Sequence, residues 1–372
     1  MKKTAALILT LIMVLGLFLS GCGRRTAQAD PDGEGGSPEA ESSGVFAGGD
    51  GTEDEPYVIV TAADLNAVRD NLSACYRLDA DIDLSGVEWT PVGAFHRLDD
   101  KIPVESDAFT GVFDGGSHTV SNLTVNHPED SAVGLFGCVR DAHIYNLTVD
   151  TATVDGGSMA GAVVGYAYNS RLTAVSLTGS NFVTGHNGES GNANRIGGMV
   201  GGAVNSLIDS CAARANIILP DLASEAGILC GGLERTSVIN GYATGTLTAG
   251  NECYGLGAVS GSGLGSEEFT SCTAENVRLV AGDNAALVGG LTGYAGGYED
   301  EASGLNVTAI TRCAANNVEI VTGEGVRAAG GIVGGGFQSG DDEVSSVFTI
   351  VDCTANVTVN GEEVALNGES VE

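Results

Sequence analysis

A unit that recurs, imperfectly, from about residue 134 to residue 353 constrains this chain more than any other feature of it. Ile196-Gly-Gly-Met-Val-Gly-Gly-Ala-Val-Asn-Ser-Leu-Ile-Asp-Ser-Cys211 is a compact specimen. The unit opens on a Gly-apolar-x-Gly turn whose second residue reads as Leu135, Val163, Met199, Ile228, Val259, Leu291 and Ile332. It closes on a strand anchored at Leu147, Val175, Cys211, Gly241, Cys272, Cys313 and Cys353. Opening and closing residues lie 12, 12, 12, 13 and 13 positions apart, then 22 and 21, whereas successive openings are 28 to 41 apart. A fixed offset inside elastic intervals is the pattern of stacked coils with loop insertions.

Strands such as Val120-Ser-Asn-Leu-Thr-Val125 and Ile144-Tyr-Asn-Leu-Thr-Val149 are too short to stand alone and pair best with their successors in parallel register. About eight rungs at about 4.8 Å each give a rod of roughly 40 Å. Like positions then form an interior ladder, expected to run Leu123, Leu147, Val175, Cys211, Gly241, Cys272, Cys313, Cys353. An antiparallel sandwich or barrel also permits short strands, but the constant offset and the lack of regularly placed hairpin dipeptides speak against it. Glycine supplies 57 of 372 residues without a Gly-X-Y period, and only seven residues are proline, so frequent tight turns are the expected use of glycine. With 5% aromatic residues the core must be narrow, filled by Val, Leu, Ile, Ala and Cys. The expected fold is all-β, a right-handed parallel β-helix with a small N-terminal cap containing a helix. A net charge of −32, with no basic patch interleaved with aromatics, opposes phosphate backbones, so no nucleic-acid partner is expected.

Five stretches follow: 1–21 a leader, 22–50 a flexible acidic linker, 51–93 the cap, 94–359 the repeats and 360–372 a tail. Met1-Lys-Lys precedes an apolar run, Leu7 to Leu19, that is too short for a comfortable transmembrane helix and reads as an export signal. Its end, Leu19-Ser-Gly-Cys22, resembles the bacterial lipobox, which implies acylation of Cys22 and anchoring by buried methylenes. In the cap, Thr61 followed by Asp64 forms a helix-start signal, with Leu65 and Val68 on one face.

The blocks GTEDEPYVIVTAADLNAVRDN, YRLDADIDLSGVEWTPVG, FTGVFDGGSHTVSNLTV, VGLFG and HIYNLTV resemble the opening of bacterial GLUG-motif surface proteins. The four-residue signature is strict in Gly134-Leu-Phe-Gly137 and Gly290-Leu-Thr-Gly293, close in Gly198-Met-Val-Gly201 and Gly331-Ile-Val-Gly334, and departs at Ala162, Cys230 and Ala258. The resemblance implies a right-handed parallel β-helix on an exported protein, some relatives being adhesin-like and some attached to IgA-cleaving metallopeptidases. It carries no catalytic residue over.

Eight cysteines besides Cys22 suggest disulfides, but Cys211, Cys272, Cys313 and Cys353 share one register and read as small buried residues with parallel Cβ vectors. Cys75, Cys138, Cys230 and Cys253 stand outside that ladder, and a Cys230–Cys253 bond is left open.

No HExxH, no nucleophile elbow and no Walker loop occurs, and His96, His118, His127, His143 and His186 are scattered. Gly340-Asp-Asp342, Gly185-His-Asn187 and Arg195-Ile-Gly197 faintly resemble polygalacturonase elements, in the wrong order and without the lysine. Calcium is the one cofactor the acidic loops would admit, at Glu299, Asp300, Glu301, Asp341, Asp342 and Glu343. The two long units carry additional residues at equivalent positions, around 294–304 and 337–346, which would present Tyr294, Tyr298 and Phe337 side by side. The sequence therefore points to a lipid-anchored, cell-surface lipoprotein binding a protein or glycan without catalysis. A polysaccharide lyase or hydrolase on the same fold, and a structural spacer, are the alternatives.

Overall fold

The computed structural model describes residues 45–95, 107–186, 195–265, 268–296, 298–300, 304–336, 348–367 and 369–370. The chain is a parallel β-helix. One rung shows the plan: Val200–Val204 lies in sheet one, Leu207–Asp209 in sheet two, Ala212–Ile218 in sheet three and Ser224–Gly227 in sheet four, after which Cys230–Glu234 returns to sheet one. Among the described residues these sheets hold seven, ten, thirteen and eight strands, all parallel except one C-terminal strand each in sheets three and four. Alternation sends every second side chain inward. In sheet two the inward column runs Phe113, Ile144, Leu172, Ile208, Val238, Phe269 and Ile310, in register and inaccessible to solvent. Each such side chain contributes about 1.5–3 kcal/mol by leaving water.

Corners are made by single left-handed residues. Ser117, Asn146, Ala174, Ser210, Asn240, Ser271, Arg312 and Asp352 stand between sheets two and three, all with φ between 53° and 63°. Asp141, Asn169, Asn205 and Arg235 do the same between sheets one and two, and Leu222, Glu252 and Asn284 between sheets three and four. Asn and Asp accept this conformation at the least cost. The tight turns expected of glycine are thus made largely by other residues.

Glycine serves a different need, at the bend from sheet four into sheet one. A Cβ on Gly231 would lie 2.5 Å from the Ile196 nitrogen, one on Gly261 2.1 Å from the Ala226 nitrogen, and one on Gly293 2.4 Å from the Leu256 nitrogen. The glycine four residues earlier, Gly227, Gly257 or Gly289, is as tightly enclosed by backbone. The operative pattern is therefore Gly-x-apolar-x-Gly, and it holds over six successive bends beginning with Gly161-Ala-Val-Val-Gly165. It corrects one expected position: Val200 pairs with Cys230 and Cys230 with Ser260, so Leu229, not Ile228, belongs with Met199 and Val259. The ladder also loses its first member. Thr148 pairs with Thr119 and Thr153 with Thr124, so His118 stands before Leu147, while Leu123 stands opposite Ala152 in the next column. From Leu147 to Cys313 the interior ladder is buried as expected, and Cys353 packs partly buried against it.

The helix Ala62–Ala67 has the reciprocal Thr61–Asp64 cap, and Leu65 and Val68 join the core at its N-terminal end. Parallel pairing already begins with Tyr57–Ile59 against Cys75–Leu78. At the other end, Glu362–Glu363 and Glu369–Ser370 pair antiparallel with the last strands of sheets three and four. Leu366 accepts from the Ile332 and Val333 amides. Sheet two ends on Phe348–Val351.

Candidate functional site

Both insertions leave the coil at one corner, between sheets one and two. The first follows Thr292–Gly296 and precedes Thr308–Thr311; the second interrupts Val333–Gly336 and Phe348–Val351, whose strands pair with those of the first. Within the first insertion Tyr298–Asp300 pairs antiparallel with Gly304–Asn306, a two-stranded hairpin separate from the four sheets of the coil. Tyr298, Glu299 and Asp300 lie on its outgoing strand. Glu301, Phe337, Asp341, Asp342 and Glu343 lie outside the described residues, as does Cys22.

Tyr294 corrects the expectation. It belongs to the strand Thr292–Gly296 rather than to the insertion, and it is 1% exposed. Its ring fills the outer crevice where sheets four and one meet, over Gly255, whose Cβ would stand 2.7 Å from the ring. There its hydroxyl donates to Glu225 Oε1 at 2.5 Å, and Tyr254 lies 5.0 Å away between ring centroids.

Arg195 donates through Nε to Glu225 Oε2 at 2.8 Å and approaches Glu234 at 3.9 Å. Its stem lies across Gly202 and Gly232: a Cβ on the former would meet Arg195 Cδ at 2.8 Å, and one on the latter Glu225 at 2.1 Å. Two rungs thus omit side chains to seat one ion pair, and Glu225 adopts φ 53°, a conformation costing a non-glycine residue roughly 1 kcal/mol. Burial opposes the Arg195 charge, but Glu225 beside it raises its pKa above the ordinary value. Burial, and then the Glu225 carboxylate, push the Tyr294 hydroxyl far above the phenol range. Neither group can act as a base near neutrality, so the cluster works as a closed lock between rungs. In the sequence Arg195 stands out only as part of a faint polygalacturonase-like string. The cleared glycines at Gly202 and Gly232 were the missed signal.

Of the other polygalacturonase-like elements, His186 pairs with Asp155, whereas Arg195 pairs with Glu225, and the acidic pair is outside the described residues. Among the described residues no three His, Cys, Asp or Glu side chains gather as a metal site. Cys138, Cys211, Cys230, Cys253, Cys272, Cys313 and Cys353 are free thiols, so Cys230 and Cys253 are not bonded to each other.

These features define a parallel β-helix protein with a side insertion beside a packed rod. No family model matches the chain. Over 176 residues it is 36% identical to halomucin of Haloquadratum walsbyi, a match covering 45% of this chain and 2% of that protein. Over 142 residues it is 34% identical to a protein of Evansella cellulosilytica provisionally named a Gly-rich membrane protein, covering 35% of this chain and 15% of the other. The chain spans only a small part of the length of these curated relatives. A crystal structure from Bacteroides ovatus, provisionally described as an immunoglobulin A1 protease, superposes with a TM-score of 0.51 at 18% identity, over 88% of this chain and 82% of the other. That likeness is one of fold.

Proposed function

We propose that the chain is a surface rod, lipid-anchored at Cys22 to the outer face of a bacterial membrane, which binds a protein or glycan through its paired insertions and performs no catalysis. The observation that carries this is the placement of both insertions at one corner of adjacent rungs, the first forming a hairpin of its own. Adjacent loops on a rigid coil present a composite surface, while the coil holds their spacing. The carboxylates that the two insertions carry in sequence, Glu299 to Glu301 and Asp341 to Glu343, suit a basic partner or one bridged by calcium. The names of the two curated relatives, a halomucin and a membrane protein, agree with a surface location.

The test is to probe the chain, with and without calcium chloride, on arrays of glycans and extracellular host proteins, and then to repeat it with residues 297–306 and 337–347 shortened to the corner length of earlier rungs. The trimmed chain is expected to fold and to lose the ligand. Wild-type binding by a folded trimmed chain would place recognition elsewhere.

A further inference from the structure

The coil is closed unevenly at its C-terminal end. Glu362–Glu363 pairs with the last strand of sheet three, the Leu366 carbonyl takes the Ile332 and Val333 amides at sheet one, and Glu369–Ser370 pairs with the last strand of sheet four. Sheet two receives no such cover: among the described residues nothing pairs with the far side of Phe348–Val351. An unpaired edge is a template for another strand, and proteins ordinarily hide it or blunt it with lysine or proline. Phe348-Thr-Ile-Val351 carries neither of these, and no charge.

One hydrogen bond fixes which backbone groups face out. The Val351 carbonyl accepts from the Arg312 amide at 2.9 Å, so Val351, and with it Thr349, faces back into the sheet. Successive residues of a strand present their N–H and C=O groups to opposite sides, so those of Phe348 and Ile350 face outward. The core is open at the same place. Ile310, Cys313 and Ala315 are fully buried, whereas Ile350, Cys353 and Ala355, which follow them one rung on, are only partly so.

Shape and charge select what fits there. The covering segment stands one strand beyond the sheet-two edge, a step of about 4.8 Å. The blunt end of a second coil meets that step first, whereas a single extended strand lies beside it. Residues 348–372 include Asp352, Glu362, Glu363, Glu369 and Glu372 and no lysine or arginine, and the first three of these acids are exposed. Arg312, which precedes Asp352 in the corner column, balances at most one of them. A strand that lays apolar side chains over Ile350 and turns basic ones toward the carboxylates meets both conditions.

We propose that Phe348–Val351 is a docking edge for one extended strand of a partner protein, apolar at alternate positions and basic between them, which joins sheet two as its last strand. This surface is separate from the one assigned to the insertions, and it draws neither on their carboxylates nor on the anchor at Cys22.

The test is residue-resolved hydrogen–deuterium exchange on the full chain, alone and with about 2 mM of a short blocked peptide alternating valine and lysine, a concentration suited to the weak binding of a lone strand. In the free chain the Ile350 amide is expected to exchange at least about tenfold faster than that of Val351, and the lysine peptide to slow it several-fold. A valine–glutamate peptide should leave it unchanged. Glu362→Gln combined with Glu363→Gln, on exposed side chains, should reduce the slowing by the lysine peptide several-fold. Slow exchange at Ile350 in the free chain would mean that the edge is already covered, by this chain or by a second copy. That result, no slowing by the lysine peptide, equal slowing by both peptides, or undiminished slowing in the double variant would each overturn the proposal.

Discussion

A methyl group built on Gly261 would stand 2.1 Å from the backbone nitrogen of Ala226, one strand away across the bend between sheets four and one. No rotamer relieves that contact, since a Cβ is fixed by its own backbone and the atom it meets is backbone. Gly261→Ala should therefore cost about 3 kcal/mol or more by forcing the bend open. Gly48→Ala should cost distinctly less, because a Cβ there would meet only the Val58 side chain, at an ordinary 3.7 Å. Denaturant unfolding of the two variants checks the order, and equal losses would refute the close-approach account.

Removing the Glu225 carboxylate leaves Arg195 without its principal counter-charge and Tyr294 without its acceptor, in side chains only 24% and 17% exposed for Arg195 and Glu225. Glu225→Ala is expected to destabilise by about 2–4 kcal/mol. Replacing both charges, as Arg195→Met with Glu225→Leu, should recover most of that loss. A single-variant cost below about 0.5 kcal/mol would show that the pair is effectively solvated.

Burial pushes the thiols of Cys138 and Cys211 up to about 12. Iodoacetamide at pH 8 should thus leave both unlabelled in the native chain and label them after unfolding, as mass mapping would show. The same shift fixes a pH dependence. These groups ionise in the unfolded chain from about pH 9 but in the folded one only near 12, so their contribution is fully present below 9 and is lost as pH rises between those values. Native labelling of Cys211 would contradict its place in the interior.

If acylation of Cys22 holds the rod on the membrane, Cys22→Ser should move the protein to the medium or leave the leader attached. Fractionation with mass analysis of the N-terminus decides it. Retention with a processed, lipid-bearing terminus would end the proposal.

The coil itself was legible because one offset recurs, and an offset is a direct image of rung geometry. Register was legible only to within what local patterns distinguish. Asn122-Leu-Thr-Val125 and Asn146-Leu-Thr-Val149 are the same string, each led by a left-handed asparagine, yet they occupy different columns. Nothing local separates them; the pairing of neighbouring strands does. Ile228 and Leu229 are likewise both apolar and both buried, and the pairing of Cys230 with Val200 decides which of them stands with Met199 and Val259. Tyr294 was misplaced because rung length reports how many residues are inserted but not where the chain departs. The Arg195 cluster stayed hidden because its partners, Glu225 and Tyr294, are 30 and 99 residues away in sequence and meet only through stacking.

The single left-handed residue at most corners outside the bend from sheet four to sheet one has an evolutionary corollary. Because the turn is completed within one residue, the phase of the next strand is set afresh there. Phe269 still pairs with Ile310 although about ten residues have been added between the preceding strands. Length can accordingly be gained or lost at a corner without retiming the interior ladder. The surface of such a rod is free to change its loops rung by rung while the thread of its core continues uninterrupted.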